Sequence, residues 1–230
     1  MRVSVGTSGF QYKFWRGNFY PQKCREADML ATYGAKLPTV EINSTFYSRP
    51  KPAALERWAR EVPASFRFAI KASRWITHIK RLKDAEQPVA SLFEDLKPLG
   101  SRLGIVLFQL PPSFKRDMAR LQQFLAAVPK GKQAALEFRH ETWFSDEVYA
   151  ALRARDVAMC ISDEGEGEKA TPFVVTAGYG YLRMRKEKYS GKQLAAVANK
   201  VRAASWDEAY VYFKHEQDAP KLATRLQKLF

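Results

Sequence analysis

Thr39-Val40-Glu41-Ile42-Asn43 reads as a short strand with two unlike faces. Residues two apart share a face of a strand, so Glu41 and Asn43 lie together on one side and Val40 and Ile42 on the other. The same arrangement, a short apolar run that hands over to an ionisable or hydrogen-bonding residue, recurs along the chain every few tens of residues. The other runs are Val3 to Gly6, Phe66 to Ile70, Gly104 to Phe108, Ala134 to Leu136, Val157 to Ile161, Gly180 to Leu182 and Ala209 to Phe213. The polar residues at their ends are Thr7 and Ser8, Lys71, Gln109, Glu137 and Arg139, Asp163, Arg183 and Arg185, and His215.

Helical patterns fill the gaps. Leu55, Trp58, Ala59 and Val62 follow Pro52 at helical spacing, and Pro63 stops the segment because a proline disfavours helix in the residue before it. Leu92, Phe93, Leu96 and Leu99 repeat the pattern before Gly100, and Met118 to Val128 repeat it before Pro129. Ser145 to Leu152, Ser190 to Ala203 and Pro220 to Phe230 are the remaining helices expected. Strands alternating with helices of this length build parallel βαβ units. The fold class expected is α/β, a (β/α)8 barrel forming a single domain over residues 1–230. Its sixth βα unit is irregular, because the stretch from Ser162 to Pro172 is too rich in glycine and acid for a helix.

In such a barrel the helices cover the outside, so the apolar strand faces point outward and the polar ones inward. Chemistry sits where the strands end. Glu41, Asn43, Lys71, Glu137, Arg139, Tyr181 and Arg183 are thereby expected to face the interior. With Asp163 they place six formal charges near one rim, three of each sign, at a cost in stability that a purely structural barrel avoids, which points to a site rather than a self-satisfied ion-pair network.

Composition narrows the partners. Lysine and arginine number 38 against 24 acidic residues, and the formal net charge of +14 favours nucleic acid or phosphorylated small molecules. Cys24 and Cys160 lie far apart with no thiol at metal or redox spacing, which fits a reducing compartment. No apolar stretch is long enough for a membrane span and no secretory h-region follows Met1, so the expectation is a cytoplasmic protein with no membrane partner. Its oligomeric state is left open.

Three chemistries fit the inward set. Glu41 and Glu137 suit a general acid and base. Glu41, Glu137, Asp163 and His215 offer the oxygen and imidazole mix of a metal site, although the cations nearby compete with a metal and none is expected. Lys71 offers an amine for a Schiff base in a desolvated pocket. Arg139, Arg183 and Arg185, with Lys71 and Lys214, present donors to phosphate or carboxylate oxygens. Tyr12, Trp15, Tyr47, Trp75 and Trp143 are candidates to stack on a base or sugar ring. Tyr12 and Trp15 belong to an aromatic loop, Gly9 to Arg25, in which Phe14 and Phe19 are expected to pack into the core. His78 and His140 fall in expected βα-loops, which makes them candidate site residues as well.

Taken together, Gly6-Thr7-Ser8-Gly9-Phe10, Trp15-Arg16-Gly17 with Phe19-Tyr20-Pro21, Val40 to Tyr47, Lys71-Ala72 with Ile76-Thr77-His78, Leu107 to Pro112, and Glu137-Phe138-Arg139-His140 with Trp143 resemble the YecE-like family, domain of unknown function 72. The resemblance covers nearly the whole chain. It implies a TIM barrel, often compared with the xylose isomerase and endonuclease IV barrels, and no established activity. By motif position it marks Glu41, Asn43, Thr45, Tyr47, Lys71, His78, Gln109, Glu137, Arg139, His140, Trp143 and Asp163. The chain departs where many members carry Arg-His-Gly after the seventh strand and two asparagines after the eighth. Arg183-Met184-Arg185 and Lys214-His215-Glu216 stand there instead and add positive charge, which favours anion binding over metal binding.

The leading expectation is an enzyme-like barrel whose cationic mouth binds a phosphate-bearing ligand, nucleic acid included. A metal-dependent hydrolase or isomerase is one alternative. A noncatalytic nucleic-acid-binding protein is the other.

Overall fold

The computed structural model describes residues 1–163, 171–214 and 216–230. Eight parallel strands close into a barrel in chain order: β1 (Arg2–Ser8), β2 (Thr39–Ile42), β3 (Arg67–Lys71), β4 (Leu103–Gln109), β5 (Gln133–Glu137), β6 (Ala158–Ser162), β7 (Tyr179–Met184) and β8 (Glu208–Phe213). β8 pairs back onto β1, so no edge is left open. Each expected run falls on one of these strands.

Seven α-helices lie among the described residues: α1 (Met29–Gly34), α2 (Pro52–Glu61), α3 (Glu86–Asp95), α4 (Met118–Ala127), α5 (Asp146–Arg153), α6 (Gly191–Ala203) and α7 (Ala219–Gln227). Ser190 starts α6 through a capping box with Gln193, satisfying two amides of the first turn. Two expectations need correction. α1 has six residues, too few for an apolar period to register, and was not anticipated. Leu99 does not continue α3, because Pro98 disfavours helix at Lys97 and the chain passes into a 3-10 stretch, Lys97–Arg102, with Gly100 at φ 55°. The sixth βα unit falls partly on residues 164–170, outside the described residues; residues 171–178 hold no helix.

Side-chain alternation splits the interior in two. Val40, Ile42, Phe68, Ile70, Val106, Phe108 and Leu136 point out to the helices and join the larger core. Ala69, Ile105, Leu107, Ala135, Ala158, Cys160, Tyr179, Tyr181, Tyr210 and Tyr212 fill the barrel itself. Alanines on β3, β5 and β6 make room for the tyrosines that β7 and β8 send across, so large meets small at interior packing density. Each tyrosine also brings a hydroxyl that must be bonded. Tyr212 Oη pairs with Thr39 Oγ1 at 2.7 Å and Tyr179 Oη donates to Asp156 O at 2.6 Å. Gly6 is required on β1, because a Cβ there would stand 2.0 Å from Thr39 O on the paired strand.

Candidate functional site

Above the tyrosines, the inward residues at the strand ends are polar on seven strands: Ser8, Glu41, Lys71, Gln109, Glu137, Ser162 and Arg183, from β1 to β7 in order. Their centre is an ion-pair triad. Arg183 Nη2 donates to Glu41 Oε1 at 2.8 Å and Arg183 Nη1 to Glu137 Oε2 at 2.6 Å, so one guanidinium bridges two carboxylates across the barrel. All three side chains are buried. Glu41 also accepts from Ser8 Oγ (2.8 Å), Asn43 Nδ2 (3.0 Å) and Tyr181 Oη (2.6 Å). Glu137 Oε1 accepts from Arg139 Nε (3.0 Å) and Nη2 (2.6 Å).

Electrostatics follow from that wiring. Burial by itself would raise Glu41, but Arg183, Tyr181 and Ser8 more than reverse this and hold it down to about 2. Glu137 is likewise lowered, burial being outweighed by Arg183 and Arg139. Both carboxylates are therefore ionised anchors with their oxygens engaged.

Lys71 differs. Thr45 Oγ1 donates to its carbonyl at 2.7 Å, fixing the end of β3 beside that of β2. Its ammonium is half-buried, lies 4.2 Å above the Phe46 ring and has no hydrogen-bonding or ion-pair partner among the described residues. Burial, reinforced by Arg183, pushes it down to about 8 against the pull of Glu41 and Glu137. His78 meets the other side of Phe46, ring centroids 4.9 Å apart, and is lowered by burial and then by the charge of Lys71. It rides on a π-helical turn, Trp75–Ile79, followed by left-handed Arg81, Leu82 and Asp84. Rare π turns and such backbone strain gather at functional sites.

Arg185, beyond the end of β7, likewise has no side-chain partner among the described residues. Burial and Arg183 disfavour its charge. Its position is set by Asp163, which accepts from the Arg185 amide (2.7 Å) and from Tyr189 Oη (2.7 Å). Buried polar atoms with no hydrogen-bonding partner among the described residues are also found at this end: Asn43 Oδ1, Gln109 Oε1, Ser162 Oγ and Arg183 Nε. A cavity of about 590 Å3, bordered by Lys132, Arg153 and Glu208, opens at the opposite end, among strand N-termini. That face of a barrel carries stability rather than chemistry, so the strand C-termini remain the candidate site.

A family model described as "Protein of unknown function DUF72" matches residues 4–230. The chain belongs to the DUF72 family. UPF0759 protein YunF of Bacillus subtilis is 30% identical over 177 residues, covering 70% of this chain and 61% of that protein. UPF0759 protein YecE of Escherichia coli O157:H7 is 32% identical over 149 residues, covering 62% of this chain and 55% of that protein. The matches thus span less than two thirds of these relatives. A solved DUF72 family protein from Thermotoga maritima superposes with a TM-score of 0.87 at 28% identity, covering 100% of this chain and 99% of that one.

In this DUF72 barrel the residues singled out by sequence divide into three groups. Glu41, Asn43, Lys71, Glu137, Arg139 and Arg183 are brought together at the strand ends, with Gln109 on the same inward register. Tyr12 joins them, half-buried, its hydroxyl donating to Ser8 O at 3.0 Å, in a turn where Gly9 adopts φ 86°. Tyr47 and Trp75 are 74% and 50% exposed beyond β2 and β3, Tyr47 meeting Phe46 edge-on and Trp75 lying under the Lys80 ammonium.

The second group serves structure, contrary to expectation. Trp15 and Trp143 show no exposed surface and cannot face a ligand. Trp143 stacks on Phe138 and donates to Phe114 O at 2.7 Å, while Trp15 donates to Glu216 O at 3.1 Å. His140 caps a 3-10 turn by accepting the Thr142 amide at 3.2 Å. Asp163 positions Arg185 rather than facing the triad. Within the first group, too, Arg183 is a bridge inside the protein, its terminal nitrogens taken by carboxylates, and Glu41 with Glu137 lack the spare oxygens and raised pKa of an acid–base pair. Phe14, expected in the core, is half exposed.

The third group is His215 alone, which lies outside the described residues. Among the described residues no three His, Cys, Asp or Glu side chains converge as metal ligands. Phe46 and Tyr189 are missed by sequence reasoning, and Ser8 is read there only as a polar strand end. Ser8 was legible as the end of β1 on the polar face. Phe46 and Tyr189 carried no signal separating them from core aromatics.

Proposed function

We propose that the barrel mouth is an enzyme-like site for a phosphate-bearing ligand, held by Arg185 and Lys71 with Arg139 beside them. The observation that carries this reading is the pair of half-buried cations left over once Glu41, Arg183 and Glu137 have engaged one another. A partly desolvated charge without a counterion is unfavourable, and a bound phosphate relieves both at once. The net charge of +14 draws such ligands in, and exposed Tyr47 and Trp75 suit a ligand that also carries a base. Nucleic acid and nucleotide-like metabolites share that chemistry. A metal-dependent hydrolase is less well supported, because the carboxylates it needs are occupied by arginines.

The test is fluorescence anisotropy of labelled single- and double-stranded oligonucleotides across a salt series, for the wild type, Arg185→Ala and Arg139→Ala. Losing a charge-assisted contact worth roughly 1.5–3 kcal/mol should weaken binding by about tenfold or more. Salt-sensitive binding that Arg185→Ala removes supports nucleic acid at the mouth. Binding indifferent to both substitutions indicates surface charge alone and refutes the placement. Absent oligonucleotide binding with binding of inorganic pyrophosphate assigns the site to small phosphorylated metabolites.

A further inference from the structure

We propose that Lys71 is a catalytic nucleophile that forms an imine with the carbonyl carbon of an anionic aldehyde or ketone, the phosphate of the substrate lying against Arg185. This rests on the reading above and adds the reacting group and the substrate class.

Three observations converge on the amine. It stands at the C-terminal end of β3 with no acceptor among the described residues, so no hydrogen bond or ion pair has to be broken to free its lone pair. It rests on the Phe46 ring, and the Thr45 hydrogen bond to the Lys71 carbonyl holds the backbone that carries it. Its surroundings favour the neutral form: burial and Arg183 bring it to about 8. At pH 7.5 the neutral fraction is then roughly two hundred times that of an ordinary lysine. Desolvation beside other cations is how an amine becomes a nucleophile near neutral pH.

The step balances without a further reactant. The Lys71 lone pair adds to the carbonyl carbon and the carbonyl π pair moves to oxygen. A first proton passes from nitrogen to that oxygen to give the carbinolamine; as the second N–H proton is carried to the same oxygen, the carbon–oxygen bond breaks, water leaves, and a carbon–nitrogen double bond remains. His78, kept neutral by burial and by Lys71 across Phe46, is the base suited to carry the proton. Glu41, Glu137 and Arg183 are already committed to one another. They keep the field around the amine fixed while it reacts.

Pyridoxal 5′-phosphate supplies an aldehyde and a phosphate in one probe, and pyridoxal supplies the aldehyde alone. The protein is incubated with substoichiometric probe at pH 7.5, reduced with borohydride and mapped by peptide mass spectrometry. Lys71 should be labelled at least tenfold more than any other lysine by pyridoxal 5′-phosphate, and much less by pyridoxal. Excess inorganic pyrophosphate should suppress the adduct. Lys71→Arg should abolish it while the melting temperature stays within a few degrees; if that variant does not fold, the wild-type map alone decides. Labelling spread over surface lysines without preference for Lys71 overturns the imine, and pyrophosphate binding measured separately leaves the phosphate reading standing. Equal labelling of Lys71 by both probes supports the imine and overturns the phosphate clamp.

Discussion

Replacing Arg183 with methionine should destabilise the protein by about 3–5 kcal/mol at pH 7.5, the cost of stranding buried charge when one member of a buried ion pair is removed. Two fully buried carboxylates lose a shared cation. Glu137 keeps Arg139, whereas Glu41 keeps as hydrogen-bonding partners only the neutral donors Ser8, Asn43 and Tyr181, with Arg185 and Lys71 acting on it through space. The net lowering of Glu41 from 4.5 to about 2, set by Arg183 together with Tyr181 and Ser8 against burial, corresponds to about 3 kcal/mol, the same order. For a chain of this length the loss translates to a fall in melting temperature of roughly 10 °C. The pH dependence should also change sign. In the wild type, stability from the depressed Glu41 is complete above the unfolded value of 4.5 and lost as pH falls towards about 2. In Arg183→Met, burial without the cation raises Glu41, so acidification through its new pKa should restore stability by neutralising the stranded charge. Urea unfolding of both proteins at pH 7.5 and pH 5 measures this. A loss below 1 kcal/mol, or an equal loss at both pH values, refutes the claim that the triad is mutually neutralised.

Gly6→Ala would press a Cβ against the Thr39 carbonyl across the β1–β2 pairing, where neither backbone can yield; soluble yield and urea unfolding should show failure to fold or a loss of about 3 kcal/mol. Trp143→Phe leaves the Phe114 carbonyl without its donor and should cost about 1–3 kcal/mol in urea unfolding without changing oligonucleotide binding. Tyr47→Ala should leave the melting temperature unchanged, since the ring is exposed. If the ligand carries a base, the same substitution should weaken binding by about 1–3 kcal/mol in the anisotropy assay.

The barrel was legible because its grammar is local. Alternation in Val40 to Asn43 placed Glu41 inward, and the same rule placed Lys71, Glu137 and Arg183. Pairing was not legible, because it depends on reach across the barrel: nothing in a strand's own sequence tells that Arg183 meets both Glu41 and Glu137 rather than a ligand. That is why residues expected to be catalytic emerge as anchors. Aromatics failed for a related reason. Trp15, Trp143, Tyr47 and Trp75 look alike in sequence, yet two are sealed in the core and two stand in solvent, a difference set by which loop folds over which. Phe46 gained its importance only from the Lys71 ammonium above it.

The central claim is that the cations beyond the triad await an anion. Calorimetric titration of inorganic pyrophosphate into the wild type and into Arg185→Ala, at physiological salt, tests it most directly. The account predicts one saturable site per chain in the wild type and at least tenfold weaker binding in the variant, with unchanged melting temperature. No binding to the wild type, or equal binding to both, contradicts it.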